Sequence, residues 1–170
     1  LKHLFIKSLF AKSYNCIATS KQELSEVSDF NPNSDVQFIP NGVELQHCVV
    51  NKKRQNTILY VGRLHKIKNI ETLINAFVNI HDEYPSWKLR IVGDGDPTYV
   101  SSLKKVIPNH LIDKIVFSGE LKGDDLLNCY STSKVFAIPS LSENFGLVIA
   151  EAMLHGLPVI VSKLLPWAEV

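Results

Sequence analysis

The stretch Pro139-Ser-Leu-Ser-Glu143-Asn-Phe-Gly146-Leu-Val-Ile-Ala-Glu151-Ala-Met-Leu-His-Gly156-Leu-Pro158 decides how the rest of the chain is read. It begins where an apolar strand, Val135-Phe-Ala-Ile-Pro139, ends. A loop follows in which Ser142 stands where a helix N-cap belongs. The helix then runs to about His155, and Gly156 and Pro158 supply the usual stop. A helix N-terminus offers unpaired backbone N–H groups and a partial positive charge, so it suits a phosphate. Glu143 lies just before that end, and Glu151 about six residues inside it, roughly 9 Å along the axis. A phosphate at the helix tip would have one carboxylate near each side. The ligand that suits this geometry has a central diphosphate with a hydroxyl-bearing group at either end, as a nucleotide sugar does.

Upstream, strands and helices alternate. Thr57-Ile-Leu-Tyr-Val61 is a continuous apolar strand, as in a parallel sheet covered on both faces. Gly62 to Asn69 is the loop at its C-terminal end, and Asn69 can cap the helix that follows. In that helix Ile70, Leu73, Ile74, Phe77 and Ile80 recur at a spacing near 3.6. Next come a strand over 87–92, a helix from Tyr99 to about Ile107, and a strand over 115–117. Asp124 and Asp125 open a helix carrying Leu126, Leu127 and Tyr130, the strand over 135–138 leads into the key helix, and 158–161 is the last strand. The alternation predicts an α/β fold, a doubly wound parallel Rossmann-like sheet with right-handed crossovers. On such sheets ligands bind at the C-terminal strand edge, where these loops gather.

The first 43 residues are organised differently. Leu1, Leu4, Phe5 and Leu9 share one face of an amphipathic helix over 1–14, with Lys2, Lys7 and Lys12 elsewhere. Packing on its own domain is the preferred reading, and contact with a membrane surface is the second. Residues 16–19 form a short apolar strand, expected to be buried. Ser20 caps a helix, with Glu23 completing a capping box, and that helix ends near Phe30-Asn-Pro32. Residues 36–40 form another strand, closed by the turn dipeptide Asn41-Gly42. Residues 1–43 therefore read as the tail of one α/β domain, 44–56 as a linker, and 57–170 as a ligand-binding domain. The polar run Asn51-Lys-Lys-Arg-Gln-Asn56 reads as solvated, with a phosphate patch as the minor alternative. The chain starts at Leu1 inside a helix and stops at Glu169-Val170 as another begins, so it is expected to be part of a longer protein whose ligand domain continues.

Composition narrows the function classes. Apolar content of 45% and charged content of 21% are enough for a packed core. A net charge of +1 gives no bulk attraction to nucleic acid or membrane. Cys16, Cys48 and Cys129 are scattered without metal-ligand spacing, as in reduced thiols of the cytoplasm. No signal peptide is visible, and no apolar run approaches the ~20 residues of a spanning helix.

Other clusters sit in the loops of the second unit. Arg63 and Lys68 precede a helix N-terminus at the ligand edge. Arg brings a fixed fork of donors and Lys a point charge, so the pair can stabilise a departing diphosphate without a metal. Gly93-Asp94-Gly95-Asp96 contains Asp-x-Asp, for which metal binding is the minor alternative, and Gly-x-Gly, but Thr98 breaks a full dinucleotide fingerprint. It reads as a strand-to-helix turn lining the nucleotide pocket through its backbone. Ser118-Gly119-Glu120 follows a strand and passes the base. His155 reads as part of a helix cap, and His65 and Lys66 as solvent-facing.

Glu143 and Glu151 with seven residues between them, Phe145-Gly146 after the first, and Glu-Ala-Met then Gly-x-Pro-Val after the second, resemble the donor-binding signature of retaining glycosyltransferases of family 4. Gly-Arg-Leu with Lys-Asn at 62–69, Val-Gly-Asp-Gly at 92–95 and Ile-Pro-Asn-Gly-Val at 39–43 are similar to further segments of that family. The resemblance covers about residues 15–162 and implies a GT-B fold, with 57–170 as the donor half and 1–43 as the end of the acceptor half. It implies a retaining enzyme moving a hexose-type sugar from a nucleotide-diphospho-sugar to a glycan or lipid-linked acceptor, with no metal and no other cofactor. A sugar-nucleotide epimerase of the same fold and a non-catalytic binding module are the alternatives. Carried onto this chain, Arg63, Lys68 and Glu143 act in catalysis. Donor contacts come from these three and from Gly62, Gly93, Ser118, Gly119, Asn144, Phe145, Gly146, Leu147 and Glu151. The family works in the cytoplasm, often on polysaccharides at the inner membrane leaflet, and has no nucleic-acid partner. The 170 residues alone are expected not to turn over. The chain departs from the pattern at Leu164-Leu-Pro166-Trp167, where many members carry a Gly-Gly pair at the donor phosphates.

Overall fold

The computed structural model of the chain describes residues 15–43, 53–163, 165 and 167. The expected amphipathic helix over 1–14, most of the 44–56 linker and Cys48 lie outside the described residues.

Five parallel strands form the main sheet: β3 (Thr57–Val61), β4 (Lys88–Val92), β5 (Ile115–Phe117), β6 (Val135–Ile138) and β7 (Val159–Val161). Helices α2 (Ile70–Ile80), α3 (Pro97–Lys105), α4 (Gly123–Thr132) and α5 (Leu147–Leu154) connect them. The spatial order is β5-β4-β3-β6-β7. From β3 the chain steps outward through β4 to β5, then returns past β3 to β6 and steps out the other way to β7. With right-handed crossovers this order puts helices on both faces, so the sheet is doubly wound and Rossmann-like as expected. It also explains why β3 and β6 are apolar along nearly their whole length. Leu59, Tyr60, Leu89, Ile91, Phe136 and Ile138 are buried in the sheet, and Ile70, Ile74, Phe77, Leu103, Ile149 and Ala152 cover it from the helices.

The order reverses between β3 and β6, which are neighbours in the sheet but distant in sequence. The loops leaving their C-terminal ends, 62–69 and 139–146, together line a crevice, the usual ligand position in open α/β sheets.

Ahead of the main sheet, β1 (Asn15–Ala18) and β2 (Asp35–Phe38) pair in parallel around α1 (Lys21–Phe30). Ser20 caps α1 as expected, its hydroxyl accepting from the Glu23 N–H at 3.1 Å. The Glu23 carboxylate reaches back one residue further than a capping box requires, to the N–H and hydroxyl of Thr19, both at 2.8 Å. No residue of α1 is buried, and Ile17, Phe30, Phe38 and Ile39 are exposed, so β1 is not the buried strand expected: only Ala18 of it is covered, since among the described residues β2 and α1 are the elements packed on it.

The end of the linker corrects one expectation. Arg54 is not a solvated cation. Its guanidinium donates to the Ser133 carbonyl at 2.7 Å and to the His155 carbonyl at 2.6 Å, at the C-terminal ends of α4 and α5. Helix C-termini leave carbonyls unpaired and carry partial negative charge, so one cation serves both. No helix among the described residues is long and apolar enough to cross a membrane.

Candidate functional site

Loop 62–69 is shaped before it meets any ligand. The Tyr60 hydroxyl, inside the sheet, donates to the Arg63 carbonyl at 3.1 Å. Burial first, and then the nearby Glu143 charge, push the Tyr60 phenol well above its ordinary pKa, so it stays a donor. Lys66–Lys68 form a short 3-10 turn, and Asn69 reverses the chain in the left-handed region, with φ 53. Asn69 occupies the N-cap position of α2, but its side chain bonds no N–H of the helix, so the expected cap is one of position alone. Its side-chain oxygen takes the Thr72 hydroxyl at 2.8 Å, and its amide donates to the Pro139 carbonyl at 3.3 Å. The Leu141 N–H meets the Ile67 carbonyl at 2.8 Å. Two contacts thus stitch the loop after β3 to the loop after β6.

On that frame Lys68 Nζ lies 2.6 Å from Glu143 Oε1, with the two side chains only 17% and 11% exposed. Ser140, fully buried, donates its hydroxyl to the same oxygen at 2.8 Å. Both bonds fall on Oε1, and no described residue bonds Oε2. Ser140 was not singled out from the sequence, although a small polar residue closing an apolar strand is the kind of signal that could have pointed to it.

The helix start is corrected. Ser142 is exposed and is not the cap. α5 begins at Leu147, with Gly146 as N-cap in the left-handed region at φ 76. A Cβ there would lie 3.0 Å from Ile149 Cδ1 and 3.4 Å from the Trp167 indole nitrogen, so glycine answers both a backbone and a space requirement. Glu151 is the fifth residue of α5 rather than about the seventh, roughly 6 Å from its start. At the other end, Gly156 N–H to Met153 O and Leu157 N–H to Ala152 O form a Schellman closure with His155 at the C-cap, as expected for His155.

Trp167, from the segment that departs from the family pattern, folds onto the back of this loop. Its indole N–H donates to the Phe145 carbonyl, and its ring meets Phe145 edge-on at 5.4 Å.

A cleft of about 510 Å³ brings most of the expected residues together. Gly62, Arg63, Lys68, Glu143, Asn144, Phe145, Gly146 and Leu147 line it, with Asn41, Tyr60 and Ile67. A second cleft of about 400 Å³ shares Gly62 and Arg63 and adds Gly93, Asp94, Glu120 and Leu121. Ser118, Gly119 and Glu151 line neither. The Gly119 carbonyl instead accepts the Gly93 N–H at 2.7 Å. Glu151 faces α4, where the buried Tyr130 hydroxyl donates to its Oε2 at 2.8 Å.

The Gly93-Asp94-Gly95-Asp96 turn is closed on its neighbours. A Cβ at Gly93 would sit 1.9 Å from the Gly62 carbonyl oxygen, and one at Gly95 2.0 Å from that of Leu64. Asp94 accepts from the Gly95 N–H at 2.8 Å, and Asp96 caps α3 through the Tyr99 N–H at 3.0 Å. Among the described residues no group of three or more His, Cys, Asp or Glu gathers as a metal ion would need.

The cleft therefore offers a guanidinium, a lysine held by a carboxylate, and the unpaired N–H groups that open a helix. That set fits an anionic ligand with hydroxyl groups beside its charge.

The family of glycosyl transferases group 1 matches residues 44–170. An uncharacterized glycosyltransferase of Methanocaldococcus jannaschii is 35% identical over 170 aligned residues, 89% of this chain and 43% of that protein. The pneumococcal O-GlcNAc transferase GtfA, solved with UDP and GlcNAc, superposes with a TM-score of 0.77 at 26% identity, over 92% of this chain and 31% of that one. Anabaena HepE, solved with UDP-glucose, superposes at 0.82 over 98% of this chain and 50% of that one; at 23% identity this likeness speaks for the fold. The chain spans less than half the length of the curated relatives it matches.

Proposed function

The chain belongs to the group 1 glycosyltransferases, with a sheet of the GT-B type, and on that premise we propose that it is the donor-binding part of a retaining, metal-independent enzyme. The enzyme moves a hexose-type sugar from a nucleotide-diphospho-sugar to a glycan or lipid-linked acceptor. It works in the cytoplasm, with peripheral contact at the inner leaflet and no nucleic-acid partner. The observation that carries this reading is the Lys68–Glu143 pair, fixed beside the N-terminus of α5 in the cleft where the strand order reverses.

In this reading the diphosphate lies over the N-terminus of α5, against Arg63 and Lys68. When the bond between the sugar C1 and the diphosphate oxygen breaks, the electron pair stays on the diphosphate. The charge that develops meets two cations and a helix N-terminus already in place, which is why no metal is needed. Glu143, with the backbone around Phe145 and Gly146, faces the sugar and its phosphate, and Asn144 and Leu147 complete that wall. Glu151 takes the ribose hydroxyls. The second cleft, with Gly93 on its wall and Ser118-Gly119 behind, receives the base. The UDP bound by the pneumococcal relative supports a nucleotide in these clefts.

The test uses the full-length protein with a panel of nucleotide sugars and acceptors, in excess chelator. Release of nucleoside diphosphate that depends on acceptor and survives chelation is expected. Conversion of the sugar without acceptor would mark an epimerase, and binding without either reaction a module. Activity lost to chelator and restored by magnesium or manganese would return Asp94 and Asp96 as metal ligands.

A further inference from the structure

Tyr130 is a residue that the donor reading leaves without a role. It lies in α4, buried to 1% exposure, with two aromatic rings packed against its own. The His155 ring stacks on it at a centroid distance of 5.2 Å, and Phe136 packs at 6.2 Å. His155 is held in turn, its Nδ1 lying 2.9 Å from the backbone carbonyl of Glu151. The Tyr130 hydroxyl closes the circuit by donating to Glu151 Oε2 at 2.8 Å. A phenylalanine would fill the same ring space, so the hydroxyl is there for the carboxylate. Burying a hydroxyl without a partner costs free energy, and here its partner is a charged acceptor. No described residue bonds Glu151 Oε1.

We propose that Tyr130 is a positioning residue for nucleotide binding: by holding Glu151 through Oε2 it aims Oε1 at the ribose hydroxyls and so sets the preference of the site for a ribonucleotide. This rests on the reading of Glu151 as the ribose contact. A free glutamate on a helix samples several rotamers and loses that freedom on binding, whereas one anchored at one oxygen has already lost it. The Tyr130 phenol is pushed well above its ordinary pKa, first by burial and then by the Glu151 charge, so it remains protonated and cannot repel the carboxylate.

The experiment titrates uridine, guanosine and adenosine diphosphates, each as the ribonucleotide and as the 2′,3′-dideoxynucleotide, into the full-length protein and its Tyr130→Phe and Glu151→Ala variants. The base that binds wild type best is carried through. Wild type is expected to prefer the ribonucleotide by about tenfold or more, the size of a charge-assisted hydrogen bond. Tyr130→Phe is expected to reduce that preference about threefold or more while leaving dideoxynucleotide affinity within about twofold of wild type. The dideoxynucleotide thus reports an intact fold in the same experiment. A Tyr130→Phe variant that keeps the full preference, while Glu151→Ala loses it, overturns the proposal and leaves the ribose reading standing. Equal weakening of both nucleotides also overturns it, since that is what a packing role alone would do. No preference in wild type would overturn the ribose reading of Glu151 and the proposal with it.

Discussion

Two turns leave the same edge of the main sheet, both opening on a glycine and carrying charge, and they end in opposite conditions. The turn after β4, Gly93 to Asp96, meets backbone at 62–64 so closely that no Cβ fits at Gly93 or Gly95, and both of its carboxylates bond N–H groups of their own segment. The turn after β3, Gly62 to Asn69, leaves Arg63 exposed and carries Lys68 to the partner loop across the crevice. Their difference lies in their neighbours. β4 sits between β3 and β5, so its exit is bracketed: Gly62 N–H bonds Val92 O on one side, and Gly93 N–H bonds Gly119 O on the other. β3 has β6 as its other neighbour, and the loops after these two strands, joined at Asn69–Pro139 and Ile67–Leu141, line the first cleft between them. The glycines after β4 therefore let that turn pack shut on its inner side while its outer side walls the second cleft, whereas the loop after β3 brings charged side chains into the first.

The largest effect should come from breaking the closed turn. Gly93→Ala places a Cβ 1.9 Å from a backbone oxygen at a φ of +137. It should cost about 3 kcal/mol or more of stability in urea unfolding, as overpacking against backbone does. A loss below about 1 kcal/mol would mean that the turn is not sealed.

The open turn should fail in function before it fails in folding. Lys68→Met leaves Glu143 without its cation, but at a cleft water can enter, so we expect a stability loss of about 1–2 kcal/mol rather than the 3–5 of a fully buried pair. Affinity for the nucleotide-sugar donor should fall about tenfold or more, measured by calorimetry on the full-length protein. Donor binding at the wild-type level would show that the cleft does not use this cation.

Asp94→Asn should do least. Asparagine keeps the oxygen that accepts the Gly95 N–H. Stability should stay within about 0.5 kcal/mol, and turnover should be as insensitive to chelator as in wild type. A variant that loses activity would put charge, and with it a metal, back at this turn.

Much of the fold was legible because it rests on local patterns. Short apolar-rich segments marked the strands of the main sheet, Lys88 and Arg90 interrupting the one at β4, a 3.6-residue period marked α2, and Ser20 marked the start of α1. The paired carboxylates, the two cations and Gly146 also stood out, and all but Glu151 converge on one cleft. What could not be read was set by contacts between distant residues. The helix starts at Leu147 and not after Ser142 because the 139–146 loop is tied to Ile67 and Asn69, while Trp167 holds the Phe145 carbonyl. Arg54 looked like any linker cation, yet it meets carbonyls 79 and 101 residues away. Tyr130 read as one more apolar position on α4, because a periodicity shows which face a tyrosine occupies and not what its hydroxyl finds there.

A crystal structure of the full-length protein with its nucleotide-sugar, in buffer containing magnesium, tests the central claim most directly. The account predicts the diphosphate in the crevice between β3 and β6, within hydrogen-bonding distance of Lys68 Nζ and the N–H groups of Leu147 and Val148. A diphosphate seated instead on the turn after β4, bridged by a metal ion to Asp94 and Asp96, would contradict it.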